Sequence, residues 1–254
     1  MSTPFLTTSP TSLNLTPEPL TPESFAPYGT AVTPPLPRDF SVPPASVSQL
    51  YPSNPTPVLA NQNSALKYSP ISPLLDNYGG NCPSGKSSAG RMTMFSCFPR
   101  KLRYNRQSGG EVFDVRILER HPFTTQTFSP LDLSSRAHAG GDAEPVFLVV
   151  VAPTLKGHTA TATTVKDGKT ETVTIRDPPD LKNLKAFVAR GNQAVTYGAG
   201  TWHAPMVVVG NRRVDFLVVQ FMNGVGDEDC QEAAFGEGIT VDLGHGVGGQ
   251  VAKL

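Results

Sequence analysis

The 254-residue chain carries 21 lysines plus arginines against 21 aspartates plus glutamates, so no overall field draws it to nucleic acid or to an anionic membrane. Small polar or anionic substrates stay open, because a neutral protein can hold a local cluster of cations. Three scattered cysteines, Cys82, Cys97 and Cys230, are too few for a disulfide framework or a zinc ribbon and point to a reducing compartment.

Proline punctuates the first third: 17 of the 25 prolines precede residue 84, a density that interrupts helices and sheet ladders alike. Residues 1–15 are expected to form a disordered tail. They contain no lysine or arginine, nor do the next fifteen, which argues against a secretory or mitochondrial signal. A first ordered element covers 16–33, with a helix start at Thr21-Pro22-Glu23 and a turn at Tyr28-Gly29. Residues 34–90 read as proline-, serine- and glycine-rich loop with short strands.

From residue 91 the pattern becomes a series of short runs rich in Val and Phe, bounded by Gly, Pro or Asn, which predicts strands at 92–98, 112–120, 145–153, 185–190, 193–197, 203–210 and 214–221. The last two are expected to form a hairpin over a Gly210-Asn211 turn. Residues 154–178 read as an inserted hairpin with an Asp167-Gly168 turn. The segment 180–187, DLKNLKAF, offers one brief helical turn. The longest apolar run, 145–153, is far shorter than a bilayer requires. Many short strands with turns between them predict an all-β sandwich or barrel. The chain is expected to form one domain over 16–235, followed by a flexible tail over 236–254.

Residues 80–87, GNCPSGKS, satisfy the phosphate-loop pattern GxxxxGK[ST]. That loop works only between a buried strand and a helix whose amino terminus faces the phosphate. Here a strand follows, and no βαβ alternation surrounds it. The segment reads as a surface loop.

Two clusters stand apart. Glu119 and His121 lie two residues apart on a strand and so share a face, and Gln126 can return to them after the turn at Pro122. In Gly198-Ala199-Gly200-Thr201-Trp202-His203, a glycine turn delivers His203 to the next strand. The spacing resembles a degraded cupin signature, HxHxxxxE followed by PxGxxH. Glu119, His121 and Gln126 take the first motif's ligand positions, and Gly198, Gly200 and His203 the second's. The full motif would hold a divalent metal with three histidines and a carboxylate. Here Glu119, His121 and His203 could hold one only loosely, so no cofactor is expected to be required. His138, His158 and His245 are expected to be solvated, and Asp227, Glu228 and Asp229 to form a solvent-facing charged turn.

The blocks LERHPxxxQxF, VFLVVVA, LxAF, GxQxVxY and WHxP occur in order over about half the chain. Together with LTPESFAPYG near the start, they resemble the ureidoglycolate lyase family. The resemblance implies a cupin-like double-stranded β-helix barrel and a homodimer. It also implies elimination of urea from ureidoglycolate to give glyoxylate in purine breakdown through allantoin. The 34–90 and 154–178 segments mark the longer, eukaryotic form. For such an elimination His121 or Glu119 would be the base, His203 the acid and Gln126 the partner of the ureido carbonyl. Lys185 or Arg100, which flank strands, would hold the substrate carboxylate. The terminal Ala252-Lys253-Leu254 resembles the Ser-Lys-Leu address read by the peroxisomal import receptor, so peroxisome or cytoplasm is expected. The rival readings are a metal-dependent cupin oxygenase or isomerase, marked by stoichiometric bound metal, and a non-catalytic metabolite-binding cupin, marked by ligand binding without product.

Overall fold

The computed structural model describes residues 2–10, 12–36, 40–42, 44, 46, 47, 55–106, 108–131, 146–210 and 212–244. His138, His245, Asn211 and the terminal Ala252-Lys253-Leu254 lie outside them. In chain order the elements are β1 (Phe5–Leu6), β2 (Leu13–Leu15), β3 (Glu18–Pro19), α1 (Pro22–Phe25), β4 (Gly29–Val32), β5 (Val58–Ala60), β6 (Ala65–Lys67) and β7 (Ala89–Cys97). Then follow β8 (Arg103–Asn105), β9 (Gly110–Asp114), β10 (Ile117–Arg120), β11 (Gln126–Pro130), β12 (Val146–Ala152), β13 (Thr159–Lys166), β14 (Lys169–Arg176) and β15 (Lys185–Arg190). The chain continues through β16 (Ala194–Tyr197), β17 (Trp202–His203), β18 (Val207–Val208), β19 (Val214–Met222), α2 (Gly226–Asp229), β20 (Gln231–Ala234) and β21 (Ile239–Asp242).

The architecture is all-β and compatible with the cupin expectation. A ten-stranded sheet runs β14-β13-β1-β20-β10-β17-β12-β15-β3, with β18 paired to β12. A five-stranded sheet, β4-β16-β11-β19-β7, faces it on one side, and a four-stranded sheet, β2-β21-β9-β8, covers the other. The apolar run of β12 explains this layering. Its seven residues are all buried. Leu148 and Val150 point into the core shared with Phe113, Ile239 and Val241, while Phe147, Val149 and Val151 point into the core shared with Phe128, Val195 and Phe216. A strand apolar on both faces therefore lies between two hydrophobic layers.

Local chemistry explains the ends of several elements. Thr21 Oγ1 accepts from the Ser24 amide at 3.1 Å and Ser24 Oγ from the Thr21 amide at 3.3 Å, a reciprocal cap on α1 with Pro22 at its first position. The β13–β14 hairpin turns at Asp167-Gly168, both at positive φ, as anticipated. In 180–187 the anticipated helical turn is a single hydrogen-bonded turn, Asn183 N to Asp180 O.

Several expectations give way. Phe5–Leu6 and Leu13–Leu15, placed in a disordered tail, are strands: β1 bridges β13 and β20, and β2 pairs with β21. β21 itself lies in the segment anticipated as a flexible tail. Leu6, Ile239 and Val241 are buried, so these ends are fixed by core burial that local composition does not reveal. The run 112–120 is not one strand but two, β9 and β10, in different sheets. The run 203–210 is likewise broken into β17 and β18. Nor do β18 and β19 form a hairpin. β18 pairs with β12, whereas β19 pairs with β11 and β7 in the opposite layer. A short link between two apolar strands signals a turn but not whether the strands pair or change layers.

Candidate active site

Three crossings between the ten- and five-stranded sheets meet at one end: β10 to β11, β16 to β17, and β19 through α2 to β20. Each delivers a functional group. Glu119 stands directly opposite His203 across the β10–β17 ladder, and Gln126 opens β11 between Tyr197 and Gln220. Gly200 makes the second crossing possible. Its φ of +79° lies in the left-handed region, and its amide donates to the His121 carbonyl at 2.8 Å.

The sequence cluster converges. The rings of His121 and His203 have centroids 5.5 Å apart, and the Tyr197 ring stacks on His203 at 3.8 Å and 11°. His203 Nε2 is 3.5 Å from Glu119 Oε1 and 3.2 Å from Gln126 Oε1. Gln126 Nε2 donates to Gln220 Oε1 at 2.6 Å. Both imidazoles turn Nδ1 toward a backbone carbonyl, His121 to Asp229 at 2.6 Å and His203 to Thr201 at 2.9 Å. A carbonyl only accepts, so each Nδ1 carries its proton, and a neutral His121 ring turns a bare Nε2 lone pair into the cluster. His121 Nε2 is buried there with no hydrogen-bond partner among the described atoms.

The electrostatics follow from this arrangement. Burial, then the charge of His203, pushes His121 below the ordinary histidine value. Burial pushes the Glu119 carboxyl up, but the hydrogen bond and charge of His203, with the charge of His121, outweigh it and leave that group below its usual range. Burial and the neighbouring Glu119 push the Tyr197 phenol well up, so it stays neutral. The His203 ring, with acceptors at both nitrogens, suits an imidazolium that donates from each.

Glu119, His121 and His203 each offer a ligand atom within 4.8 Å of the others. Two imidazole nitrogens and a carboxylate oxygen, with one nitrogen orphaned, fit a divalent cation.

The other predicted residues sit elsewhere. Lys185 shares a cross-strand row with His203 but stands two strands away, and its ammonium pairs with Glu18 at 2.8 Å. Arg100 donates its amide to Val208 and lays its guanidinium over Phe113, whose ring belongs to the core beyond the large sheet. The expected charged turn at 227–229 is corrected: Glu228 and Asp229 are buried. Glu228 accepts from the amide and hydroxyl of Ser84, both at 2.6 Å, and Asp229 accepts from the Tyr78 hydroxyl at 2.7 Å. The false phosphate loop thus anchors α2, and as anticipated a strand, β7, follows it rather than a helix. His158 is exposed.

Three residues on the strands around the cluster were not singled out from sequence. Gln220 was legible, since it continues the inward phase of Val214, Phe216 and Val218. Arg91 pairs with Gln220 across the β7–β19 ladder and so shares its face, about 10 Å from Gln126 at two strand spacings. It is solvent-exposed and unpaired among the described residues. Cys230 lies 4.0 Å from Glu119 Oε2, its thiol pushed up to about 12 by burial and by Glu119.

Residues 12–242 match a family model described as ureidoglycolate lyase. A ureidoglycolate lyase of Schizosaccharomyces pombe is 34% identical over 212 residues, 84% of this chain and 86% of its own length. One of Saccharomyces cerevisiae is 32% identical over 229 residues, 87% and 94% of the two chains. A Pseudomonas syringae ureidoglycolate lyase is 33% identical over 123 residues, 48% of this chain and 52% of its own.

Proposed function

Because the chain belongs to the ureidoglycolate lyase family, we propose that it is a carbon–nitrogen lyase that eliminates urea from ureidoglycolate and leaves glyoxylate, a step of purine catabolism. The observation that carries the chemistry is the convergence of His121, His203 and Glu119, whose ring nitrogens and carboxylate oxygen lie within 4.8 Å of one another.

The reaction needs a hydroxyl proton removed, the carbon–nitrogen bond broken and the departing nitrogen protonated. His121, held neutral by burial and bare at Nε2, takes the hydroxyl proton. The carbonyl of glyoxylate forms as the bond to the ureido nitrogen breaks. His203 gives its Nε2 proton to that nitrogen, and urea leaves. Glu119, beside His203, stabilises the imidazolium before transfer. Gln126 orients the ureido group with its amide, itself braced by Gln220. Arg91 replaces Lys185 and Arg100 as the cation for the substrate carboxylate, because it lies on the inward face in the row of Gln126 and Gln220. A divalent cation held by Glu119, His121 and His203 would supply Lewis acidity in place of proton transfer by the two imidazoles, because an Nε2 bound to metal neither accepts nor gives a proton.

The two facing sheets are read as a cupin-like half-barrel. The enzyme works as a homodimer. β7 is an edge strand of nine residues whose outward Met92 and Met94 are 73% and 61% exposed, a surface that a second copy would cover.

Purified protein incubated with ureidoglycolate should release glyoxylate and urea in equal amounts. Binding without release would leave the non-catalytic reading in its place.

A further inference from the structure

We propose that Asp229 and Tyr78 are positioning residues that fix the tautomer of His121; the consequence for turnover rests on the role of His121 in the reaction above, whereas the tautomer itself does not. Asp229 touches His121 through its backbone. Its carbonyl oxygen lies 2.6 Å from Nδ1. Were the ring proton on Nε2 instead, two lone pairs would face each other at that distance, so a fixed carbonyl forces the proton onto Nδ1 and leaves Nε2 bare.

The carbonyl can impose this only if it cannot swing away. α2 is a four-residue turn whose first residue has no side-chain cap, so it has no independent stability. The Asp229 carboxylate supplies the restraint. Oδ1 accepts from the Tyr78 hydroxyl at 2.7 Å and the Asn223 amide at 2.8 Å, and Oδ2 from the Gly224 amide at 2.8 Å. Three donors converge on a side chain that is itself buried, and charge-assisted bonds of this kind are the strong ones.

Tyr78 brings a part of the chain 151 positions away into this restraint. Its ring is fully buried and packs on Phe123, within the β10–β11 crossing next to His121. Burial and the Asp229 hydrogen bond hold its phenol protonated, hence always a donor. Its loop is pinned on both sides, by Ser84 to Glu228 and by Ser88 Oγ to Asp76 at 2.6 Å. The proline-rich first third therefore ends in a hydroxyl that sets the orientation of a group in the cluster, at one remove. Neither Tyr78 nor the Asp229 side chain meets substrate.

The test is the nitrogen-15 spectrum of the imidazoles in labelled full-length protein at neutral pH, with turnover measured on the same samples. Wild type should show His121 with its proton on Nδ1. Tyr78→Phe and Asp229→Asn should each admit the other tautomer. They should lower kcat about 10-fold and about 100-fold, the usual range for an outer partner of a functional histidine, with KM within twofold. Tyr78→Phe removes one oxygen and carries the test if Asp229→Asn does not fold. An unchanged tautomer in the folded variants overturns the proposal, whatever happens to the rate. A shifted tautomer with unchanged kcat would leave the positioning standing and remove His121 from the reaction instead.

Discussion

Glu119 and His203 face each other directly across the β10–β17 ladder, a carboxylate oxygen 3.5 Å from Nε2, although 84 positions separate them in the chain. β17 is only two residues long. It inserts between β10 and β12, and this brings His203 beside an acid on one strand while Gln126 approaches from the opposite sheet.

Removing the proposed base tests the reaction most directly. His121→Asn should lower kcat by roughly 10²-fold or more while circular dichroism stays that of the wild type. Near-normal glyoxylate release from this variant would exclude His121 as the base.

The acid side of the pH profile follows from burial. His121 must be neutral to act, and its value in the folded protein lies below that of a free histidine, so activity should persist below about pH 6.5 before it falls. Stability has the same sign. The unfolded chain takes up a proton at His121 before the folded one does, so the contribution present above the free-histidine value is lost as pH falls toward the folded value. Glu119, also lowered, adds a loss that sets in at the ordinary carboxylate value and is complete once pH has fallen through its folded value. Melting midpoints should drop between pH 7 and pH 5 less steeply in His121→Gln than in wild type. Equal slopes would contradict this.

Arg91→Gln should act on binding. A hydrogen bond to a charged group contributes about 1.5–3 kcal/mol, so KM should rise roughly 10- to 100-fold with kcat little changed. Steady-state kinetics separate the two constants, and an unaltered KM would remove Arg91 from the site.

Divalent cations should stabilise the protein through the triad. At ten times the dissociation constant mass action gives about 1.4 kcal/mol, or about 3–5 °C in melting temperature for a chain of this size. The shift should vanish in His121→Ala and His203→Ala. A shift that survives both would place the ion elsewhere.

The edge strand makes a separate prediction. Met92→Glu combined with Met94→Glu should halve the mass seen by sedimentation without unfolding the chain, because both side chains already face solvent within the protomer. A wild type that sediments as a monomer would refute the dimer.

The all-β architecture, the strand from Val146 to Ala152, the Asp167-Gly168 hairpin, and the four groups Glu119, His121, Gln126 and His203 are legible in the chain before it folds. Each is encoded locally, by an apolar period, a turn dipeptide or a polar residue at a fixed offset from glycine or proline. The rest depends on long-range packing. Burial of Asp229 depends on Tyr78, some 150 positions away, and a run of three acids looks solvated until its donors are in place. Arg91 is one cation among many until the β7–β19 register sets it on the face of Gln220. Cross-strand register and layer crossings are long-range properties, fixed by core packing that no window of sequence contains.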